Sequence, residues 1–127
     1  MNLHATYVHL RDDRSGATLE LTPTFWQELT SDQRPELDPG RLVMVFSFTE
    51  DWPTWERHPA GDEVVVLLAG EATLILEAER GEQPHHLGRP GDFVLVPQGA
   101  WHTARITRPC TLLFITPGEG TENRPIA

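Results

Sequence analysis

The stretch W-E-R-H-P-A-G-D-E-V-V-V-L-L-A-G, Trp55 to Gly70, sets several metal-ligating side chains against an apolar run that has to be buried. Glu56 and His58 are two apart, so on an extended strand both leave the same face while Arg57 leaves the other. Pro59, Ala60, Gly61 and Asp62 read as a turn. Glu63 then opens Val64 to Ala69, which is too β-branched and too short for a helix and reads as a strand. A strand returning from that turn can bring Glu63 back towards Glu56 and His58.

Outward from this stretch the chain keeps one rhythm. Eleven prolines and ten glycines punctuate runs of four to eight residues rich in Val, Leu, Ile, Phe and Thr, the pattern of an all-β barrel or sandwich. Upstream, Tyr7 to Leu10 and Ala17 to Leu21 read as short strands. Thr24 can cap a helix of one or two turns over Phe25 to Leu29, and Arg41 to Thr49 suits a strand covered on both faces. Downstream come Val64 to Leu68, a turn at Ala69-Gly70-Glu71, Ala72 to Glu77, and a charged loop over Glu79 to Gln83. His85 to Leu87 is a short strand, and Arg89-Pro90-Gly91-Asp92 has the residues of a type II turn. Phe93 to Val96, His102 to Ile106 and Cys110 to Thr116 are strands, with a turn at Pro97 to Ala100. The tail after Thr116 is polar and reads as loop.

At 127 residues and 14.3 kDa the chain is expected to be one domain with its own core. The formal charge of −9, from 19 acidic against 10 basic residues, repels phosphate backbones and anionic lipid, which argues against nucleic acid and membrane as partners. No apolar stretch approaches the length of a membrane span and no secretory pattern opens the chain, so a soluble cytoplasmic protein is expected. Cys110 has no partner for an internal disulfide and reads as a small buried hydrophobe.

Two sets of spaced residues resemble the motifs of the cupin superfamily, G-x5-H-x-H-x3-4-E-x6-G and G-x5-P-x-G-x2-H-x3-N. In the first, over residues 56–70, Glu56 stands at the first His position, His58 at the second, Glu63 at the Glu and Gly70 at the closing Gly. In the second, over 91–102, Gly91, Pro97, Gly99 and His102 fall at the expected intervals. The resemblance covers about half the chain. It implies a double-stranded β-helix, the jelly-roll barrel, spanning residues 1–127 as a single cupin domain with an N-terminal arm over 1–40. It also implies one divalent transition metal held inside the barrel at Glu56, His58, Glu63 and His102. Two imidazoles and two carboxylates from three strands are the nitrogen and oxygen ligands that manganese, iron, nickel or zinc accept.

The chain departs from the pattern at Glu50, at Ile106 and, most consequentially, at Glu56. Two His and two Glu leave a divalent ion nearly neutral where three His and one Glu leave it positive, which favours manganese or iron and weakens the pull on an anionic substrate. A carboxylate at position 56 that does not bind the metal can instead serve as a general base. The implied function is that of a metal-binding cupin acting on a small organic molecule as an oxygenase, isomerase or lyase. The alternative is a non-catalytic module that binds or senses a small molecule. Small cupins often pair, and the strand character of Thr6 to Leu21 suggests a homodimer.

The remaining conspicuous residues read as follows. His85 and His86 are adjacent, so they point to opposite faces of a strand and belong to solvent. Trp52, Trp55 and Trp101 flank the candidate ligands, as packing at the barrel mouth or as a stacking wall for a ring-bearing ligand. Arg57 and Arg105 alternate out of phase with His58 and His102 and face away from the cavity. The run from Gly118 has no helix after it and reads as a turn, not a phosphate cradle.

Overall fold

A computed structural model describes residues 1–126. In chain order the elements are β1 (Thr6–Leu10), β2 (Gly16–Glu20), α1 (Phe25–Thr30), a 3-10 turn at Pro35–Leu37, β3 (Arg41–Phe48), β4 (Thr54–Arg57), β5 (Glu63–Ala78), β6 (Gly81–Leu87), β7 (Phe93–Val96), β8 (His102–Thr116) and β9 (Glu122–Pro125). The chain is an all-β jelly roll with one short helix. Every strand joins one continuous sheet that wraps onto itself through the two longest strands, β5 and β8.

Those two strands run antiparallel along their whole length and bend together. The first half of β5 pairs with β7 and with the end of β8, and its second half pairs with β6 and with the start of β8. Register shifts at Leu67/Ala69, Ala69/Glu71 and Glu71/Thr73 mark the bend. Bulges of this kind turn a strand from one wall of a barrel into the other. Gly70 sits at the corner with φ +80°, and a Cβ added there would lie 2.0 Å from the carbonyl oxygen of Pro109. Only glycine fits a position that combines a left-handed backbone with so close an approach.

The bend corrects one expectation. Val64 to Leu68 and Ala72 to Glu77 are not two strands around a turn but one strand, because its partner curves alongside and pairing continues through the glycine. Glu79 to Gln83 is likewise not a loop. Ala78 faces Gly81 across a two-residue connection and the polar residues that follow pair with β5, their side chains exposed. The tail is the third difference, since Glu122–Pro125 pairs with β4. Thr24 is the N-cap of α1 and its carbonyl accepts from Glu28 N–H at 2.9 Å, but its hydroxyl caps no helix N–H and instead donates to the Glu28 carboxylate at 2.5 Å. By contrast the turns predicted at Arg89–Asp92 and Pro97–Ala100 form: Asp92 N–H donates to Arg89 O at 2.9 Å and Ala100 N–H to Pro97 O at 3.0 Å, with Gly91 and Gly99 at positive φ.

Strand alternation sorts the side chains. Leu42, Met44, Val65, Leu67, Leu112 and Phe114 point inward and are buried, as is Cys110. The opposite face carries the cross-strand row Val43, Ile115, Val64 and Leu95 and, beside it, Leu113, Val66 and Phe93. Phe93 and Leu95 are more than half exposed. Arg57 and Arg105 also face outward, and Arg57 lies over the Trp101 ring and pairs with Glu122 at 2.6 Å. His85 and His86 are exposed on β6.

Candidate metal centre

The inward alternation that buries Leu112 and Phe114 also brings polar residues into the barrel. β5 starts at Glu63 with its side chain inward, opposite Val96 of β7. β8 starts at His102, which faces Glu56 of β4. His58 follows β4 immediately and lies on the Glu56 side, as the two-residue spacing predicts. The segment between β4 and β5 is tied to the turn before β8 by three bonds: Gly99 N–H to His58 O at 3.0 Å, Gln98 N–H to the Asp62 carboxylate at 2.8 Å, and the Gln98 amide to Pro59 O at 2.7 Å. Two loops far apart in sequence thereby hold His58 and His102 at a common depth, with ring centroids 5.3 Å apart.

His58, Glu63 and His102 are buried and offer donor atoms that all lie within 4.8 Å of one another. His58 Nε2 is 3.2 Å from Glu63 Oε2, and His102 Nε2 is 3.1 Å from Glu63 Oε1. These approaches are not aligned as hydrogen bonds. Among the described residues, His58 Nε2, Glu63 Oε1 and His102 Nε2 are three of the four buried side-chain polar atoms without a partner; the fourth is Trp52 Nε1. Buried polar atoms are nearly always satisfied, so three orphans aimed at one point call for a ligand there.

The bonds behind the imidazoles say which charge that ligand carries. Ala100 O can only accept, so His102 Nδ1 carries the hydrogen of the 3.1 Å bond to it. The Thr121 hydroxyl donates its one proton to Gly118 O at 2.8 Å, so it accepts from His58 Nδ1–H at 2.9 Å. Both neutral rings therefore turn an Nε2 lone pair towards a carboxylate. Lone pairs facing a carboxylate at this distance repel unless a cation sits among them, either protons or a metal ion. The donor set of two imidazole nitrogens and a carboxylate is one that divalent transition metals accept, so the residues present fit such an ion.

The titration behaviour of the metal-free site follows the same charges. Burial alone would push the Glu63 carboxyl up, but His102 and His58 outweigh it and hold it down at about 2. Burial lowers His102, yet the contact with Glu63 reverses this and leaves its pKa raised. Thr116 Oγ1 adds a 2.5 Å bond to Glu63 Oε2. Glu56 differs from the other three. Its Oε1 is 3.3 Å from His58 Nε2, but its side chain keeps 31% of its surface exposed and it stands outside the converging group. Its pKa is raised, chiefly by loss of solvent.

Glu56, His58 and Glu63 line one end of a cavity of about 690 Å³. The rest of its wall is mostly apolar, with Trp26, Phe46, Phe48, Trp52 and Phe114 prominent, and carries Asp32, Asp38, Thr54 and Asn123 among its polar residues. Trp52 packs on both Phe48 and Phe114 and meets the His102 ring edge-on at 6.1 Å.

Residues 42–116 match the Cupin domain family. The chain belongs to the cupins. An acireductone dioxygenase of Rhodopseudomonas palustris is 34% identical over 108 residues, which is 77% of this chain and 58% of the relative, so the match spans well under two thirds of the longer protein. A cupin superfamily protein of Desulfitobacterium hafniense superposes with TM-score 0.50 at 26% identity, covering 60% of this chain and 65% of the other. Hydroxypropylphosphonic acid epoxidase of S. wedmorenis superposes at TM-score 0.52 and 19% identity, covering 61% and 44%, a likeness of fold.

Two residues of this cupin's site escaped the sequence reading. Thr116 shares a face with Cys110, Leu112 and Phe114, and a hydroxyl in phase with core residues was a usable signal. Thr121 had none, because its place depends on β9 returning to β4. That return is held by outward contacts: Arg57 with Glu122, and Arg124 with Glu77 while it lies over the Trp101 ring.

Proposed function

We propose that this cupin is a metal-dependent enzyme of oxygenase type, acting on a small organic molecule that presents adjacent oxygen atoms. The observation that supports this most is the set of three buried, unpartnered donor atoms of His58, Glu63 and His102 at the end of a cavity large enough for such a molecule. A divalent metal held there, manganese or iron in first place, supplies Lewis-acid polarisation and, with a redox-active ion, access to dioxygen. The likeness to acireductone dioxygenases favours the oxygenase reading over isomerase or lyase.

The chain's own residues divide the remaining work. Thr121 and Ala100 hold the two imidazoles with Nε2 inward, and Thr116 holds the Glu63 carboxylate. Glu56 fills the first ligand position of the family motif, yet it stands at the cavity wall with a raised pKa. We assign it the other role its chemistry allows, accepting a proton from a substrate hydroxyl. Trp52 and Phe114 exclude water from the apolar side.

The test is oxygen uptake by protein reconstituted in turn with iron, manganese, nickel and zinc, on a panel of ene-diols that includes acireductone. Consumption with iron or manganese that falls in Glu56→Gln while bound metal persists is the expected result. Stoichiometric metal without turnover on any substrate would leave the non-catalytic binding module as the better reading. We further propose that residues 1–127 act as one cytoplasmic domain and that two copies pair through the outer face of β3, β8, β5 and β7. Its rows of Val, Leu, Ile and Phe are uncharged, so a second copy meets them without setting charge against charge, whereas the chain as a whole carries −9. Light scattering should report a dimer that Phe93→Glu converts to monomer.

A further inference from the structure

The cavity wall departs from the rest of the molecule in its charge. All ten basic residues of the chain are arginines, and none of them is among the described residues that line the cavity. The ionisable groups that do line it are Asp32, Asp38, Glu56, Glu63 and His58. Asp32 is exposed and Asp38 half-buried, so the lining carries carboxylates besides Glu56 and Glu63. The same wall holds Trp26 and Phe46, whose rings are 5.4 Å apart, and Phe46 in turn packs on Phe48 and Phe114.

A carboxylate, phosphate or phosphonate on the far end of a substrate would find no cation there. It would be stripped of water against aromatic rings and would face acidic groups, with no arginine among the described lining residues to offset that cost. An uncharged alkyl, thioether or aryl tail meets the opposite conditions, because the rings and Met44 bury it at about 25 cal/mol per Å² of apolar surface. We propose that this cavity selects an uncharged substrate, with its oxygen-bearing end towards His58 and Glu63 and an apolar tail along Phe46 and Trp26, and rejects acids of the same size. This deepens the enzymatic reading above and rests on it for the orientation of the ligand, but not for the choice of tail.

Three probes separate the two claims: 4-propylcatechol, 3,4-dihydroxybenzoate and propylbenzene, titrated by calorimetry into the zinc-loaded protein. The expected result is 4-propylcatechol binding at least about tenfold tighter than 3,4-dihydroxybenzoate, which carries the same adjacent oxygens on an anionic ring. Equal or tighter binding of the acid, or no binding by any probe, overturns the proposal. If propylbenzene matches 4-propylcatechol while the acid is still rejected, the tail preference stands and the metal-centred orientation falls. Trp26→Arg, at a residue 39% exposed on α1, puts a cation on the wall, and in variant protein shown to be folded by circular dichroism it should narrow the preference between catechol and acid or reverse it. An unchanged ratio in that variant also counts against the proposal.

Discussion

The two ends of the barrel interior meet at β8, which sends Phe114 to one and His102 and Thr116 to the other, yet they are held in different ways. At the aromatic end Phe46 touches Tyr7, Trp26, Phe48 and Phe114, and each of those rings has further neighbours. Position there is shared among many contacts that no single atom decides. At the His58–Glu63–His102 end each reactive atom is aimed by one bond: Thr121 for His58, Ala100 for His102, Thr116 for Glu63. Redundant packing supplies stability, whereas single directional bonds supply chemistry and are correspondingly easy to break.

That contrast can be pulled apart by substitution. The largest effect should come from Phe114→Ala, which empties a buried site ringed by Phe46, Phe48 and Trp52 and should cost about 3–5 kcal/mol in chemical denaturation. Under native conditions the variant should still bind one equivalent of metal. His102→Ala should do the reverse, weakening metal binding by more than about a hundredfold, the upper range seen when only a supporting partner is lost. Its metal-free stability should fall as well, because the buried Glu63 carboxylate loses a partner that holds its charge, so metal affinity tells the ends apart, and an equal loss of affinity in both variants would show that they are not separable.

Smaller effects sharpen the difference. Thr121→Val removes the acceptor behind His58 Nδ1 and should weaken metal binding by about ten- to a hundredfold, with Thr121→Ser restoring it. Unaltered affinity in the valine variant would mean that the β9 return merely covers the site. The smallest is a pH slope. In metal-free protein the raised His102 keeps its proton above the ordinary value of 6.5, so metal must displace that proton on binding. Affinity should therefore go on climbing with pH beyond 6.5, by up to about tenfold per unit for each proton released, and zinc titrations in buffers of different ionisation enthalpy will count them.

Much of this was readable from residues alone, for identifiable reasons. Alternation placed Leu42, Met44, Leu112 and Phe114 on one face, and the turn residues at Arg89–Asp92 and Pro97–Ala100 adopt the backbone their types favour. The spacing of His58, Glu63 and His102 led to three side chains that do converge. What could not be read were pairings between polar segments. Gly81 to His86 and Glu122 to Pro125 carry no apolar pattern, because their side chains face solvent and the backbone alone supplies the ladder. The Ala69–Glu71 corner read as a chain reversal because a glycine at positive φ looks the same in a turn and in a bulge.

By itself, then, the amino-acid order determined an all-β barrel, its inward faces and three residues fit to hold a cation, since side-chain period and turn chemistry are local properties of the chain. Only the tertiary structure decided that Glu56 lies on the cavity wall 3.3 Å from His58, that no arginine is among the described residues of that wall, and that Thr121 returns to orient His58. Each of these depends on segments distant in sequence meeting at one place, and no local preference encodes such a meeting.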